Sequence, residues 1–130
     1  KILMQISKHF NRSEFDSKDG AKMPSDVLAN IINLVGNLEA IRSHLNTPLQ
    51  VNSGYRSESH NKASGGVKNS QHTKGTACDF VPKGYDLELA YLAIIDLMEK
   101  GFITKGGLGL YNTFIHYDIR GKITLWDYRK

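Results

Sequence analysis

The sequence predicts an α+β fold: a small, mainly antiparallel sheet with helices packed on one face. Three observations carry this expectation. Two long segments place apolar residues at helical spacing, and several short segments alternate apolar and polar residues as strands do. The length of 130 residues suits one core, hence one domain spanning residues 1–130. With 40% hydrophobic and 23% charged residues, the composition is that of a soluble globular chain.

Residues 1–24 read as irregular, with His9, Phe10 and Phe15 tucking aromatic rings against the body; His9 is a metal-ligand candidate set against a structural or exposed histidine, the reading a lone histidine in a terminal segment favours. Ser25 or Asp26 starts the first helix, whose core stripe is Leu28, Ile31, Ile32, Val35, Leu38, Ile41 and Leu45. Gly36 weakens that helix without breaking it, and Asn46-Thr47-Pro48 stop it. His44, in its last turn, complements the negative helix end. Leu49 to Ser53 alternate as a short strand leading into Gly54, Tyr55 and Arg56. Residues 57–72 are polar and glycine-rich and read as one long loop, a feature that is usually functional in a small domain. Ala77 to Val81 form the second strand. Asp79 lies on one face of it and Cys78 and Phe80 on the other, so Cys78 reads as a small buried residue rather than a ligand. Asp86 caps a second helix with Leu87, Ala90, Tyr91, Ile94, Leu97 and Met98 on its buried face, and Lys100-Gly101 end it. Residues 107–111, 114–120 and 123–128 complete an antiparallel sheet, with hairpin turns at Asn112-Thr113 and Gly121-Lys122.

Lysine and arginine number 17 against 13 acids, a net charge of +4. That mild basicity suits an anionic partner such as a cell-wall polymer. No basic block is dense enough for a nucleic-acid footprint, so no nucleic-acid partner is expected. No apolar run reaches the roughly 20 residues of a membrane span, and the opening KILMQISKHF lacks the apolar centre of a secretory signal. The single cysteine excludes an internal disulfide. A monomer is the default for a domain of this size.

The chemistry concentrates in SQHTKGTACDF, which holds His72 and Asp79, and in FIHYDIR, where alternation puts His116 and Asp118 on one strand face. Neutral imidazole and carboxylate both suit zinc, and a catalytic zinc site has three protein ligands and one open position. His72, Asp79 and His116 are the candidate ligands. Asp118 is the candidate general base or an orienting group behind a ligand, against an ion pair with Arg120 or Lys122. Arg56 is the candidate cation for a carboxylate or an oxyanion, against a surface arginine. Arg120 reads as a surface ion pair. Ser70 and His60 flank the loop and are candidates for orienting a ligand or binding substrate; for His60 alone, a loop-stabilising hydrogen bond is the competing role.

The segments SGYRS, HNKASGG, SQHTKGTACDF and FIHYDIRG together resemble the zinc D-alanyl-D-alanine carboxypeptidase family, whose fold is shared by the hedgehog signalling domain. The opening ISKHFNRSEF is similar to the small phage and bacterial branch of that family. The resemblance implies that His72, Asp79 and His116 bind Zn2+ and that Arg56 contacts substrate or the transition-state oxyanion. It also implies a peptidoglycan peptide as substrate, cut at a bond involving a D-amino acid. Several members carry an acid three residues before the last zinc histidine; that position here is Thr113, which leaves Asp118 to act as base. The expected function is a zinc peptidase of the bacterial wall, of carboxypeptidase or endolysin type. Its place of action is the wall, as a phage lysin, a tail-associated enzyme or a periplasmic or extracellular bacterial enzyme. The alternative is a catalytically inactive zinc module that binds peptidoglycan or a protein partner.

Overall fold

The computed structural model describes residues 5–130; the expected irregular start at residues 1–4 lies outside them. A single 3-10 turn, Arg12–Phe15, precedes helix α1, Ser25–Leu45. Then come β1 (Leu49–Ser53), α2 (Glu58–Ala63), α3 (Gln71–Lys74), β2 (Ala77–Pro82), α4 (Leu87–Glu99), β3 (Gly107–Leu110), β4 (Ile115–Asp118) and β5 (Thr124–Asp127). The fold is α+β, and the five strands among the described residues are mostly antiparallel.

Helix α1 begins directly after Pro24, with no side-chain cap, and ends where Asn46 turns left-handed at φ 54°. Its buried face is Val27, Ile31, Leu34, Val35, Leu38, Ile41 and Leu45. Ile32, expected in that stripe, is 53% exposed, because one helical step of 100° turns it away from its neighbour Ile31. Helix α4 is capped as expected: the Asp86 carboxylate accepts from Leu89 N at 2.9 Å. Both helices pack on the central strands and on each other. The core between them and the sheet includes Phe80 from β2, Leu108 and Leu110 from β3, and Ile115 and Tyr117 from β4. Phe10 and Phe15 also enter the core, as expected, their ring centroids 6.0 Å apart.

Two expectations are corrected. The stretch 57–72 is not one long loop: it carries α2 and α3, each capped by a serine, with Ser57 Oγ accepting from His60 N and Ser70 Oγ from His72 N. The Gly121-Lys122 turn does not fold β5 back onto β4. Strand order is β1-β2-β4-β3-β5, so β4 already has a neighbour on each side, and β5 instead pairs in parallel with the free edge of β3. The Asn112-Thr113 hairpin does form, closed by Tyr111 N donating to Phe114 O at 3.0 Å.

The register across the sheet positions the chemistry. Ser53 pairs with Asp79, Asp79 with His116, His116 with Gly109, and Gly109 with Trp126. These five residues form one row across all the strands, on the face opposite the apolar core.

Candidate metal centre

His72, Asp79 and His116 each place a ligand atom within 4.8 Å of the others, and all three are buried. Asp79 Oδ1 is the meeting point, facing His72 Nε2 at 3.2 Å and His116 Nδ1 at 3.0 Å. Each ligand comes from a different element. Ser70 caps the single turn that carries His72, whereas Asp79 and His116 are register partners on adjacent strands.

The far nitrogen of each ring fixes its tautomer. His72 Nδ1 lies 2.8 Å from the Gly54 carbonyl, which can only accept, so Nδ1 carries the proton. His116 Nε2 lies 2.7 Å from Asp118 Oδ2 and donates to that carboxylate. The remaining lone pairs, on His72 Nε2 and His116 Nδ1, are then aimed at a carboxylate oxygen with no proton between them. Three converging electron-rich atoms require a cation or extra protons, and the His2Asp donor set suits zinc. The residues present therefore fit the metal that the sequence implies.

In the metal-free protein, protons take the cation's place between these atoms: burial alone would raise the Asp79 carboxyl pKa, but hydrogen bonds from the His116 and His72 rings then hold it well below the usual range. Burial would lower His116, yet Asp118 and Asp79 raise it above its ordinary value. Arg56 reaches Asp79 Oδ2 through Nη2 at 3.2 Å, Ser53 Oγ through Nε at 3.1 Å and Asn61 Oδ1 through Nη1 at 3.5 Å. The guanidinium thus stands beside the ligand set, half-buried.

Asp118 sits behind His116. It is 0% exposed, and its oxygens accept from Gly107 N at 2.9 Å, Arg120 Nε at 2.9 Å and Arg120 Nη2 at 2.8 Å as well as from His116. Burial opposes its ionisation, but Arg120, His116 and Gly107 hold its pKa well below the usual range. A general base must face the substrate. Asp118 faces the back of a ligand and does not line the cleft, so the expectation that it acts as base does not fit this geometry. Arg120, expected as a surface ion pair, is exposed and does form an ion pair, its partner being the buried Asp118.

An open cleft of about 480 Å³ lies over the three ligands. Arg56 and Ser70 line it; His60 does not, and instead its backbone N–H completes the Ser57 cap on α2. Ser70 orients the turn bearing His72 through its cap. The sequence reading missed the wall formed by Tyr111, Phe114, Trp126 and Tyr128. It also missed why the strand GLGL is glycine-rich. A Cβ at Gly109 would overlap the Trp126 indole, and one at Gly107 would overlap the Asp118 carboxylate. The signal was available, since glycine inside a strand marks a close approach.

Among the described residues, no helix is long and apolar enough to cross a membrane. No curated protein sequence matches the chain significantly. A family model described as Peptidase M15, of the zinc D-Ala-D-Ala carboxypeptidase type, matches residues 7–118 and covers the turn, all four helices, four of the five strands and the three converging ligands. The chain belongs to the peptidase M15 family.

Proposed function

We propose that this protein is a zinc-dependent peptidase that hydrolyses a bond involving a D-amino acid in bacterial peptidoglycan, acting at the cell wall. The observation that carries the proposal is the pair of histidine lone pairs, fixed by Gly54 and Asp118, that converge on Asp79 beneath an open cleft. Membership of a peptidase family supports the reaction class. Zinc held by His72, Asp79 and His116 would supply an electrophile for a carbonyl and acidify a water.

The chain's own residues do the rest. Arg56 places a cation at the cleft beside Asp79, suited to a substrate carboxylate or a developing oxyanion. Asp118, locked by Arg120 and Gly107, keeps the His116 lone pair pointed at the metal position. In the net reaction the oxygen of water bonds to the carbonyl carbon and the C–N bond breaks. One proton goes to the amine and the other leaves the new carboxylic acid.

A specific observation favours a second reading. Asp79 is the one acid among the residues lining the cleft, which also suits a module that grips a wall peptide without cutting it. Digestion of purified peptidoglycan, with and without a chelator and with products read by mass spectrometry, decides between the two. Chelator-sensitive release of a defined fragment is expected. Zinc bound at one per chain with no fragment released would overturn the peptidase and leave the binding module.

A further inference from the structure

Arg56 engages three of its five N–H groups within the protein and offers the cleft a cation, and a neutral, directional donor stands on another wall of the cleft. We propose that Tyr111 is that donor, serving the oxygen of the scissile carbonyl, and that Trp126 is the positioning residue that aims it. This assignment rests on the peptidase reading and names a catalytic residue within it.

Hydrogen-bond parity points to the hydroxyl. An indole N–H can donate and never accept. Trp126 Nε1 lies 2.9 Å from the Tyr111 hydroxyl, so the phenol oxygen accepts and its own proton must rotate away from the indole. Among the described residues, that proton has no acceptor. The contrast is Tyr117, whose hydroxyl is consumed by the Thr104 carbonyl at 2.6 Å. Both Tyr111 and Trp126 line the cleft over the metal ligands. An O–H held by its oxygen, with an unused proton at a cleft wall, is a preformed donor for a ligand oxygen.

The ring is also fixed. Tyr111 stacks on Phe114 with centroids 4.3 Å apart and planes 9° from parallel, and Tyr128 meets it edge-on at 5.6 Å. Trp126 lies across Gly109, with its ring centroid 5.1 Å from that of His116. The hydroxyl is therefore tied, through one indole, to the row that carries the ligands. Burial and the charge of Asp79 raise its pKa, which keeps the donor protonated at neutral pH. No proton is transferred: the O–H bond persists, and the hydrogen bond strengthens as the carbonyl oxygen gains charge.

The test compares wild type, Tyr111→Phe, Trp126→Phe and the double variant, each with zinc content measured by elemental analysis and with kcat and KM on a peptidoglycan stem peptide. Tyr111→Phe should keep its zinc and its KM while kcat falls by roughly 10²–10³. Trp126→Phe should lower kcat less, and should have no further effect in the Tyr111→Phe background, because it acts through the missing hydroxyl. A merely structural role for Trp126 would instead add its own loss in that background. Wild-type kcat in Tyr111→Phe, or independent losses that multiply in the double variant, would overturn the assignment while leaving the peptidase intact. A wild type that holds zinc but cuts no stem peptide overturns the peptidase reading and the assignment together.

Discussion

Asp118 determines which nitrogen of His116 can bind a metal, and its two oxygens are not equivalent. Oδ1 accepts from Gly107 N, Arg120 N and Arg120 Nε, whereas Oδ2 accepts from His116 Nε2 and Arg120 Nη2. In Asp118→Asn the single amide oxygen stays where three donors converge, which turns the new NH2 toward His116. Nε2 must then accept, and the ring proton moves to Nδ1, the atom aimed at Asp79. The expected result is a folded protein whose zinc affinity is roughly 10–100-fold weaker, measured by competition with a chromophoric chelator. Unchanged affinity with lost turnover would instead return Asp118 to the role of base. The spacing of His116 and Asp118 in the sequence showed that they share a strand face. It could not show that the carboxylate meets the back of the ring rather than its front, because that depends on Arg120 and Gly107 closing around it.

At the scale of elements, the floor of the site is a sheet row with glycine in the middle. Gly109 separates His116 from Trp126 in register, and its missing side chain lets the indole sit over β3 with its centroid 5.1 Å from that of His116. Gly109→Ala puts a methyl group where the indole nitrogen sits. The expected cost is about 1–3 kcal/mol of stability, as for overpacking elsewhere, together with displacement of the indole. Trp126 is the only tryptophan in the chain, so its emission reports that displacement without interference. A variant with wild-type emission and wild-type melting would show that the strand yields without moving the ring. The same scale explains what the sequence disclosed. Helices α1 and α4 were legible because their apolar residues recur at helical spacing, and β1 to β4 because theirs alternate. Helices α2 and α3 were not, being too short to carry an apolar stripe and resting on the caps from Ser57 and Ser70. The partner of β5 was not legible either: Gly121 permits a turn, but the occupancy of both edges of β4 is a property of the assembled sheet.

For the whole molecule, the sheet divides stability from chemistry. Phe80, Ile115 and Tyr117 face the helices, whereas Asp79 and His116 face the cleft, so a metal held there would lie outside the core. The metal-free chain should therefore stay folded yet melt lower, since a ligand that binds only the native state stabilises it by about 2.7 kcal/mol at 100 times its Kd. The pH dependence has opposite signs in the two forms. Without metal, His116 has a raised pKa, so its contribution is present below the unfolded value and is lost as pH rises through the folded one. Asp79 and Asp118 have lowered pKa values, so theirs is present above the unfolded carboxylate value and is lost only in strong acid. With metal, protons compete for the same lone pairs, and stabilisation grows as pH rises. The difference in melting temperature between zinc-loaded and chelated protein should accordingly widen from about pH 5 to about pH 8, the range in which imidazoles titrate. Thermal melts with zinc and with chelator across that range check this. A gap that does not change with pH would place the bound ion away from His72 and His116, and an unfolded chelated protein would mean that the cleft face carries the fold.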